Sequence, residues 1–282
     1  MALPSGYKRL EYIQSTGTQF IDTGFKPNQN TRCDLDATFL DSDSTTSALF
    51  GARNGSNQQF WIFWQIPNFY ARYNKVNIQV TASHSDRHTF SLNKNVFSVD
   101  GNQSKVTAAT FQSPYDAFLF AINNAGSVNY KASAKLYSCQ IYDNGILIRD
   151  YIPCQTTAGE IGLWDDVNSV FNGNAGTGTF TAGPVVAVIP DAPSNLQQTM
   201  SVLLAWASVS DAERYNIYRD GTLIASTTDL FYVDDTAAEN TEYTYGVSAV
   251  NSAGESPKTT IPIYTKSGYF LYKPYLESAT FQ

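Results

Sequence analysis

The chain has 282 residues, of which 43% are hydrophobic and 15% charged, and its formal net charge is −7. This length accommodates one large and one small domain. The acidic balance, with no cluster of Lys and Arg, excludes nucleic acid and anionic membrane surfaces as main partners. No apolar run reaches the roughly 18 residues of a membrane span, so we expect no membrane insertion.

The cysteines and the N-terminus indicate a protein that folds in a reducing compartment. The first residues carry no basic region followed by an apolar core, so we expect no secretory signal. Cys33, Cys139 and Cys154 form an odd and small set, unlike a disulfide framework. The Asn144-Gly145 turn places Cys139 opposite Asp150 on the partner strand. Cys154 lies four residues further along that strand, at a distance of about 13 Å. That separation exceeds the roughly 7 Å Cα limit of a disulfide, so we expect three reduced thiols.

The first 186 residues consist of short alternating runs separated by clusters of Gly, Asn, Asp and Ser, without convincing helical periodicity. Many strands with a turn signal every eight to twelve residues predict a sandwich or barrel. At this size a two-sheet jelly roll over residues 1–186 is favoured. The predicted strands include residues 9–14, 19–23, 33–39, 48–52, 60–65, 77–81, 88–92, 96–99, 118–122 and 133–142.

An aromatic stretch at 60–73 carries the main candidate for ligand binding. Its first half has apolar side chains at successive positions, which predicts a central strand buried on both faces, with Phe60, Ile62 and Trp64 on one side and Trp61 and Phe63 on the other. Aromatic side chains beyond Pro67 are expected to be exposed, where they would stack on sugars. A downstream loop, 123–129, either lines the same rim or is a simple hairpin turn. The candidate ligand residues are Phe69, Tyr70, Tyr73, Asn123 and Asn124.

No constellation of catalytic residues is found, so we predict a non-enzymatic protein without a cofactor. A glycosidase needs two carboxylates at a set separation, and Asp34 and Asp36 are better explained as solvent-facing strand residues. His84 and His88 lack the helix and the Glu of a zinc site, and we expect them in surface loops. No metal is predicted, although a polar turn offers the oxygen ligands that calcium prefers; its weak candidates are Asp41 and Asp43.

A second domain begins after a change of composition near residue 187. Residues 187–192, flanked by Pro, predict a short linker. Seven short strands over residues 193–265 then predict a small sandwich. The segment 266–282 is too apolar for a solvated end. It either packs on its own domain or docks on another chain, and the candidate docking residues are Tyr269, Phe270, Tyr272, Tyr275 and Phe281.

Both domains resemble known families. The stretches 10–24, 142–165 and 170–184 resemble the concanavalin A-like, laminin-G-like jelly rolls of phages and prophages of Gram-positive bacteria. Residues 190–265 resemble a fibronectin type III module. That resemblance makes Trp206 and Tyr215 core residues and either Tyr243 or Tyr245 the corner tyrosine.

These resemblances imply a virion surface protein that folds in the bacterial host cytoplasm. It would act as a capsid decoration or head fibre, or as a tail component in host adsorption. Its expected partners are other virion proteins and a host-surface glycan bound by the jelly roll. The alternative is a secreted bacterial carbohydrate-binding or adhesion module. The sequence leaves the oligomeric state open.

Overall fold

The computed structural model describes residues 3–4, 6–41, 46–200 and 202–266. Its contacts divide the chain into two compact units, Leu3–Val186 and Ala187–Gln282, called here the larger and the smaller unit. Every regular element of the described residues is a β-strand. The predicted all-β class is confirmed.

The larger unit contains nineteen strands within its described residues. In chain order they are β1 Tyr7–Arg9, β2 Ile13–Thr16, β3 Ile21–Asp22, β4 Thr31–Phe39, β5 Ser47–Arg53, β6 Gln59–Gln65, β7 Asn68–Tyr73, β8 Val76–Val80, β9 Arg87–Asn93, β10 Val96–Val99, β11 Asn102–Lys105, β12 Phe118–Leu119, β13 Ile122–Asn124, β14 Ser127–Asn129, β15 Ser133–Asp143, β16 Ile146–Thr156, β17 Ile161–Asp165, β18 Val170–Asn172 and β19 Thr181–Ala182.

These strands form two sheets that enclose one core. The first sheet has the order β11-β10-β9-β4-β15-β16-β17-β18, with β1, β2 and β19 paired at its side. The second has the order β14-β13-β5-β6-β7-β8, with β3 and β12 added. Alternate side chains of β4 and β6 meet in the same buried cluster, as the period of two along a strand requires. The unit is therefore a two-sheet sandwich, as predicted.

The hairpin that joins β15 and β16 turns at Asn144 and Gly145, whose φ angles are 51° and 82°. This is the predicted two-residue turn. A register shift between Ile141 and Tyr142 places Cys139 opposite Tyr151. The predicted pairing with Asp150 is therefore wrong by one residue, because the bulge adds a residue to one strand.

The smaller unit has eight strands within its described residues, arranged in two sheets. One sheet has the order β20-β21-β24, and the other has the order β23-β22-β25 with both β26 and β27 paired to β25. This is the arrangement of a fibronectin type III-like sandwich. Its strands are β20 Gln197–Met200, β21 Leu203–Ala205, β22 Arg214–Arg219, β23 Thr222–Thr227, β24 Phe231–Val233, β25 Glu242–Asn251, β26 Gly254–Glu255 and β27 Thr259–Tyr264.

The core of the smaller unit contains Trp206 and Tyr215, as the resemblance implied. The hydroxyl of Tyr243 accepts a hydrogen bond from the Ala238 amide at 3.1 Å, five residues upstream, so Tyr243 is the corner tyrosine. Tyr245 instead donates its hydroxyl to the fully buried carboxylate of Asp234, at 2.6 Å.

The segment 187–189, predicted as linker, is bound to the smaller unit. The Val188 carbonyl accepts a hydrogen bond from the Asn251 side-chain amide at 2.7 Å. Gly254 packs against the side chain of Ile189, which lies 3.2 Å from the position that a Cβ would take there. The first residues after the boundary therefore form part of this unit.

Candidate ligand-binding faces of the larger unit

Two of the three aromatic residues predicted to be exposed lie in the core, so that prediction is wrong. Phe69 is fully buried and Tyr73 is 2% exposed. The chain turns back at Pro67 and returns as β7, an interior strand between β6 and β8. Alternate residues of an interior strand point into the sandwich, which places Phe69 and Tyr73 there. Neither side chain can stack on a sugar.

The predicted amides of the β13–β14 hairpin divide between two roles. Asn123 is buried, and its side-chain oxygen accepts a hydrogen bond from the Gly126 amide at 2.9 Å, which stabilises the turn. Asn124 accepts a hydrogen bond from Nε of Arg53 at 2.8 Å and donates to Asn129 at 2.9 Å. Asn124 therefore belongs to a side-chain network that includes an arginine.

The outer side of the second sheet carries a row of four aromatic rings in near-parallel contact. The ring centroids of Trp61 and Phe63 are 4.0 Å apart, at an interplanar angle of 21°. Tyr130 continues the row beyond Trp61, at 5.6 Å and 12°, and Tyr70 continues it beyond Phe63, at 5.3 Å and 18°. We call these rings, together with Arg53 and Arg72, the aromatic face. Of the predicted aromatic residues, only Tyr70 contributes to it.

The backbone around this row is specialised to hold it. Gly51 pairs with Trp61, and a Cβ at position 51 would lie 2.1 Å from the Cβ of Trp61, so no larger residue fits there. Tyr130 has a φ of 53°, a left-handed conformation that is strained for an aromatic residue. Its carbonyl accepts a hydrogen bond from the Ala48 amide at 2.7 Å, which fixes the ring against Trp61.

The charges of the aromatic face are all positive. The six strands in the main order of the second sheet contain no Asp or Glu, and their only ionisable cations are Arg53 and Arg72. The guanidinium carbon of Arg53 lies 5.9 Å from the centroid of the Tyr130 ring, within the range of a cation–π contact. Burial lowers the pKa of Arg72, and the nearby charge of Arg53 lowers it further.

The outer side of the first sheet, called here the polar face, has a different character. Asp34 forms an ion pair with Arg32 at 2.5 Å, and Asp36 accepts two hydrogen bonds from Arg87, at 2.8 and 2.7 Å. The two carboxylates therefore lie on the outer side of a strand, each beside a cation. A cavity of about 310 Å³ lies between them and is lined by side chains that include Arg32, Asp34, Asp36, Ser91, Ser98 and Gln140.

The prediction of surface-loop histidines is wrong for His88, whereas His84 does lie in the loop before β9. His88 is on β9, is 6% exposed and contacts Asp100 at 2.5 Å. His84 is half-buried against Trp64, with 4.2 Å between the ring centroids. Burial lowers the pKa of His84. Both imidazoles belong to the packing around the core.

The described residues contain no group of three or more His, Cys, Asp or Glu side chains that could hold a metal ion. Asp41 accepts a hydrogen bond from the Ser133 amide at 2.9 Å, and burial raises the pKa of its carboxyl group. Asp43, the other calcium candidate, lies outside the described residues. Within the described part of the chain, no helix is long and apolar enough to cross a membrane.

The three cysteines are free and buried, as expected for reduced thiols. Burial raises the pKa of the Cys154 thiol to about 12 and raises the pKa of Cys33 well above its ordinary value. A thiol that holds its proton is a poor nucleophile. The candidate docking residues Tyr269, Phe270, Tyr272, Tyr275 and Phe281 lie outside the described residues, so their role stays a prediction.

No family model matches the chain. It is similar over part of its length to three curated proteins: a poly(3-hydroxybutyrate) depolymerase of Ralstonia pickettii, 38% identical over 35% of this chain; chitinase C of Streptomyces lividans, 32% identical over 32%; and the tail tube protein gp17.1* of Bacillus phage SPP1, 36% identical over 28%. The aligned parts cover 20%, 15% and 31% of those proteins, so the chain spans a third of their length or less.

Among solved structures, the chain is similar to the crystal structure of FN3tt. The identity is 30%, the TM-score is 0.26, and the match covers 29% of this chain and all of that one. The fibronectin type III-like arrangement of the smaller unit follows from its own strand order and does not depend on this similarity.

Proposed function

We propose that the chain is a non-enzymatic structural protein of a bacteriophage virion, placed on its surface as a capsid decoration, a head fibre or a tail component. The observation that carries this proposal is the 36% identity to a phage tail tube protein over 28% of the chain. The resemblance of the larger unit to the concanavalin A-like, laminin-G-like jelly rolls of phages supports the same conclusion. Its partners would be other virion proteins, and it would fold in the host cytoplasm with reduced cysteines.

A structural role also fits the carboxylates of the larger unit. A glycosidase needs two carboxylates at a set separation that are free to act on the substrate. On the polar face, Asp34 and Asp36 instead lie 2.5 and 2.7 Å from arginine nitrogens. We infer that these residues stabilise a surface and that the larger unit binds glycans without cleaving them.

Gold-labelled antibody against the chain tests this placement directly on phage particles from the source lysate. We expect label on the particles, and its position on the head or tail would distinguish decoration from host adsorption. Antibody preabsorbed with the purified chain is the control. Intact particles without label, in a lysate where the antibody still detects the chain, would contradict the proposal.

The alternative, a secreted carbohydrate-binding or adhesion module, is favoured by one specific observation. The depolymerase and the chitinase share only a small part of their length with this chain, which is typical of an accessory module carried by an enzyme. Fractionation of the source cells separates the two proposals. Chain recovered from the medium of cells that release no phage would support secretion.

For the segment 266–282 we propose attachment to a partner chain. Deleting it should abolish assembly into particles while the melting temperature of the remaining chain stays nearly unchanged. A large loss of thermal stability would show instead that the segment is part of the fold.

A further inference from the structure

The aromatic face holds two arginines without a carboxylate partner. Nε of Arg53 donates to an amide oxygen, that of Asn124, and none of the ion pairs among the described residues includes Arg53 or Arg72. Nε of Arg72 is buried and has no hydrogen-bond partner. The polar face of the same unit pairs Arg32 and Arg87 with aspartates, so the difference is not a general property of this surface.

Two nearby guanidinium groups without a counterion are unfavourable in the free protein. They repel each other, and a buried donor without an acceptor loses the hydrogen bonds that water would give it. The arrangement is unexpected in a chain of net charge −7, where carboxylates are more frequent than cations. An anion between the two groups would remove the repulsion between them.

The surroundings of the arginines suit a sugar. Tyr130 is 39% exposed and lies flat on Trp61, so its position is fixed before a ligand arrives. Apolar carbons of a saccharide pack on such rings, while amide side chains bind hydroxyl groups. Asn124 and Asn129 supply those amides and are already joined by a hydrogen bond of 2.9 Å. A preorganised site of this kind loses little conformational entropy on binding.

We propose that the aromatic face binds an anionic saccharide, with its phosphate or carboxylate group between Arg53 and Arg72 and its ring against Tyr130. Planar guanidinium groups bind both anions through paired hydrogen bonds. This assignment rests on the glycan binding proposed above for the larger unit and names the class of ligand.

Isothermal titration calorimetry of the full chain with glucose 1-phosphate, glucuronate and glucose tests the site. We expect at least one anionic sugar to bind ten or more times tighter than glucose. The stronger of the two identifies phosphate or carboxylate as the natural group. Equal affinity for all three sugars, or no measurable binding, would overturn the proposal.

Substitution of the arginines locates the binding. The double variant Arg53→Gln, Arg72→Gln should lower the affinity for the anionic sugar at least tenfold. Arg32→Gln is the matched control, because it removes an arginine of the polar face, and it should leave the affinity unchanged. An equal loss in the control would show that the anion responds only to overall charge.

Thermal unfolding of Arg72→Gln separates ligand binding from a structural role. If Arg72 is kept for a ligand, its removal relieves repulsion from Arg53, and the melting temperature should stay the same or rise. A fall of several degrees would show that Arg72 stabilises the fold and would contradict the proposal. Gold labelling tests the virion placement separately. If the chain binds the anionic sugar but is absent from particles, only the placement is refuted. If particles are labelled but the chain binds no anionic sugar, only the proposed ligand is refuted.

Discussion

The two outer faces of the larger unit belong to one sandwich but manage their charges in opposite ways. On the polar face Asp34 and Asp36 each contact an arginine at 2.5 and 2.7 Å, and hydroxyl side chains such as Ser91 complete the network. The aromatic face has Arg53 and Arg72, and the six strands in the main order of its sheet contain no carboxylate. Two of its four rings, those of Trp61 and Phe63, are buried.

This difference separates a solvated surface from a candidate binding surface. Exposed ion pairs contribute little to stability, and their loss is tolerated. Unpaired like charges on a rigid apolar base are costly in the free protein, and such costs are found where function requires them. We therefore expect substitutions on the two faces to differ in both size and sign, and the predictions below test that expectation.

The largest effect is expected at the centre of the aromatic row. Trp61 is 3% exposed and lies between Phe63 and Tyr130, so Trp61→Ala should lower the free energy of unfolding by about 3–5 kcal/mol. Urea denaturation followed by circular dichroism measures this loss. Ser91→Ala on the polar face is the control and should cost less than about 1 kcal/mol. Similar values for the two variants would remove the contrast between the faces.

Gly51 tests whether the backbone under the row is adapted to it. Gly51→Ala places a methyl group 2.1 Å from the Cβ of Trp61 at a φ of 147°, where side chains are strained. We expect a loss of about 3 kcal/mol from the displaced strands in the same denaturation assay. Gly145→Ala is a useful comparison, because position 145 has a positive φ of 82° but no atom within 4 Å of a Cβ. An equal loss in both variants would assign the effect to φ alone.

Alternation along the chain predicts many of the strands, the Asn144-Gly145 pair predicts the hairpin, and successive apolar residues predict the two apolar sides of β6. The prediction fails at Phe69 and Tyr73 because the chain reverses at Pro67 and continues inside the sheet as β7. The absence of carboxylates around Arg53 and Arg72 could not be predicted, since it depends on which strands are neighbours. β13 runs parallel to β5 from more than sixty residues away, and no local pattern reveals that pairing.

The smaller unit contains a buried carboxylate, which can be compared with the surface carboxylates of the polar face. Asp234 is fully buried and accepts hydrogen bonds from Tyr245 and Arg219 at 2.6 and 2.7 Å. Burial favours its protonated form, but these donors and Thr236 outweigh burial and lower the pKa of Asp234. Asp234→Asn should therefore lower the free energy of unfolding by about 1–3 kcal/mol, measured by urea denaturation at pH 7.

The same pKa shift predicts a pH dependence with a definite sign. A carboxyl group whose pKa is lower in the folded state adds stability above its unfolded pKa and loses it as the pH falls through the folded value. The contribution of Asp234 should therefore decline once the pH falls below the ordinary carboxyl pKa of about 4, and it is lost only as the pH passes below the lower pKa of the folded state. Melting temperatures of the wild type and Asp234→Asn should converge as the pH is lowered from 7 to 3. A constant difference would show that the substitution acts through packing.

The smallest effect is expected for the same substitution on the polar face. Asp36 accepts two hydrogen bonds from Arg87, but the Arg87 side chain is 50% exposed, so solvent replaces the lost contacts. Asp36→Asn should change the free energy of unfolding by less than about 1 kcal/mol, and less still in 1 M salt. Urea denaturation at low and high salt measures both values. A loss as large as that of Asp234→Asn would mean that the polar face is as tightly organised as a core, and the distinction between the two faces would then rest on the unpaired arginines alone.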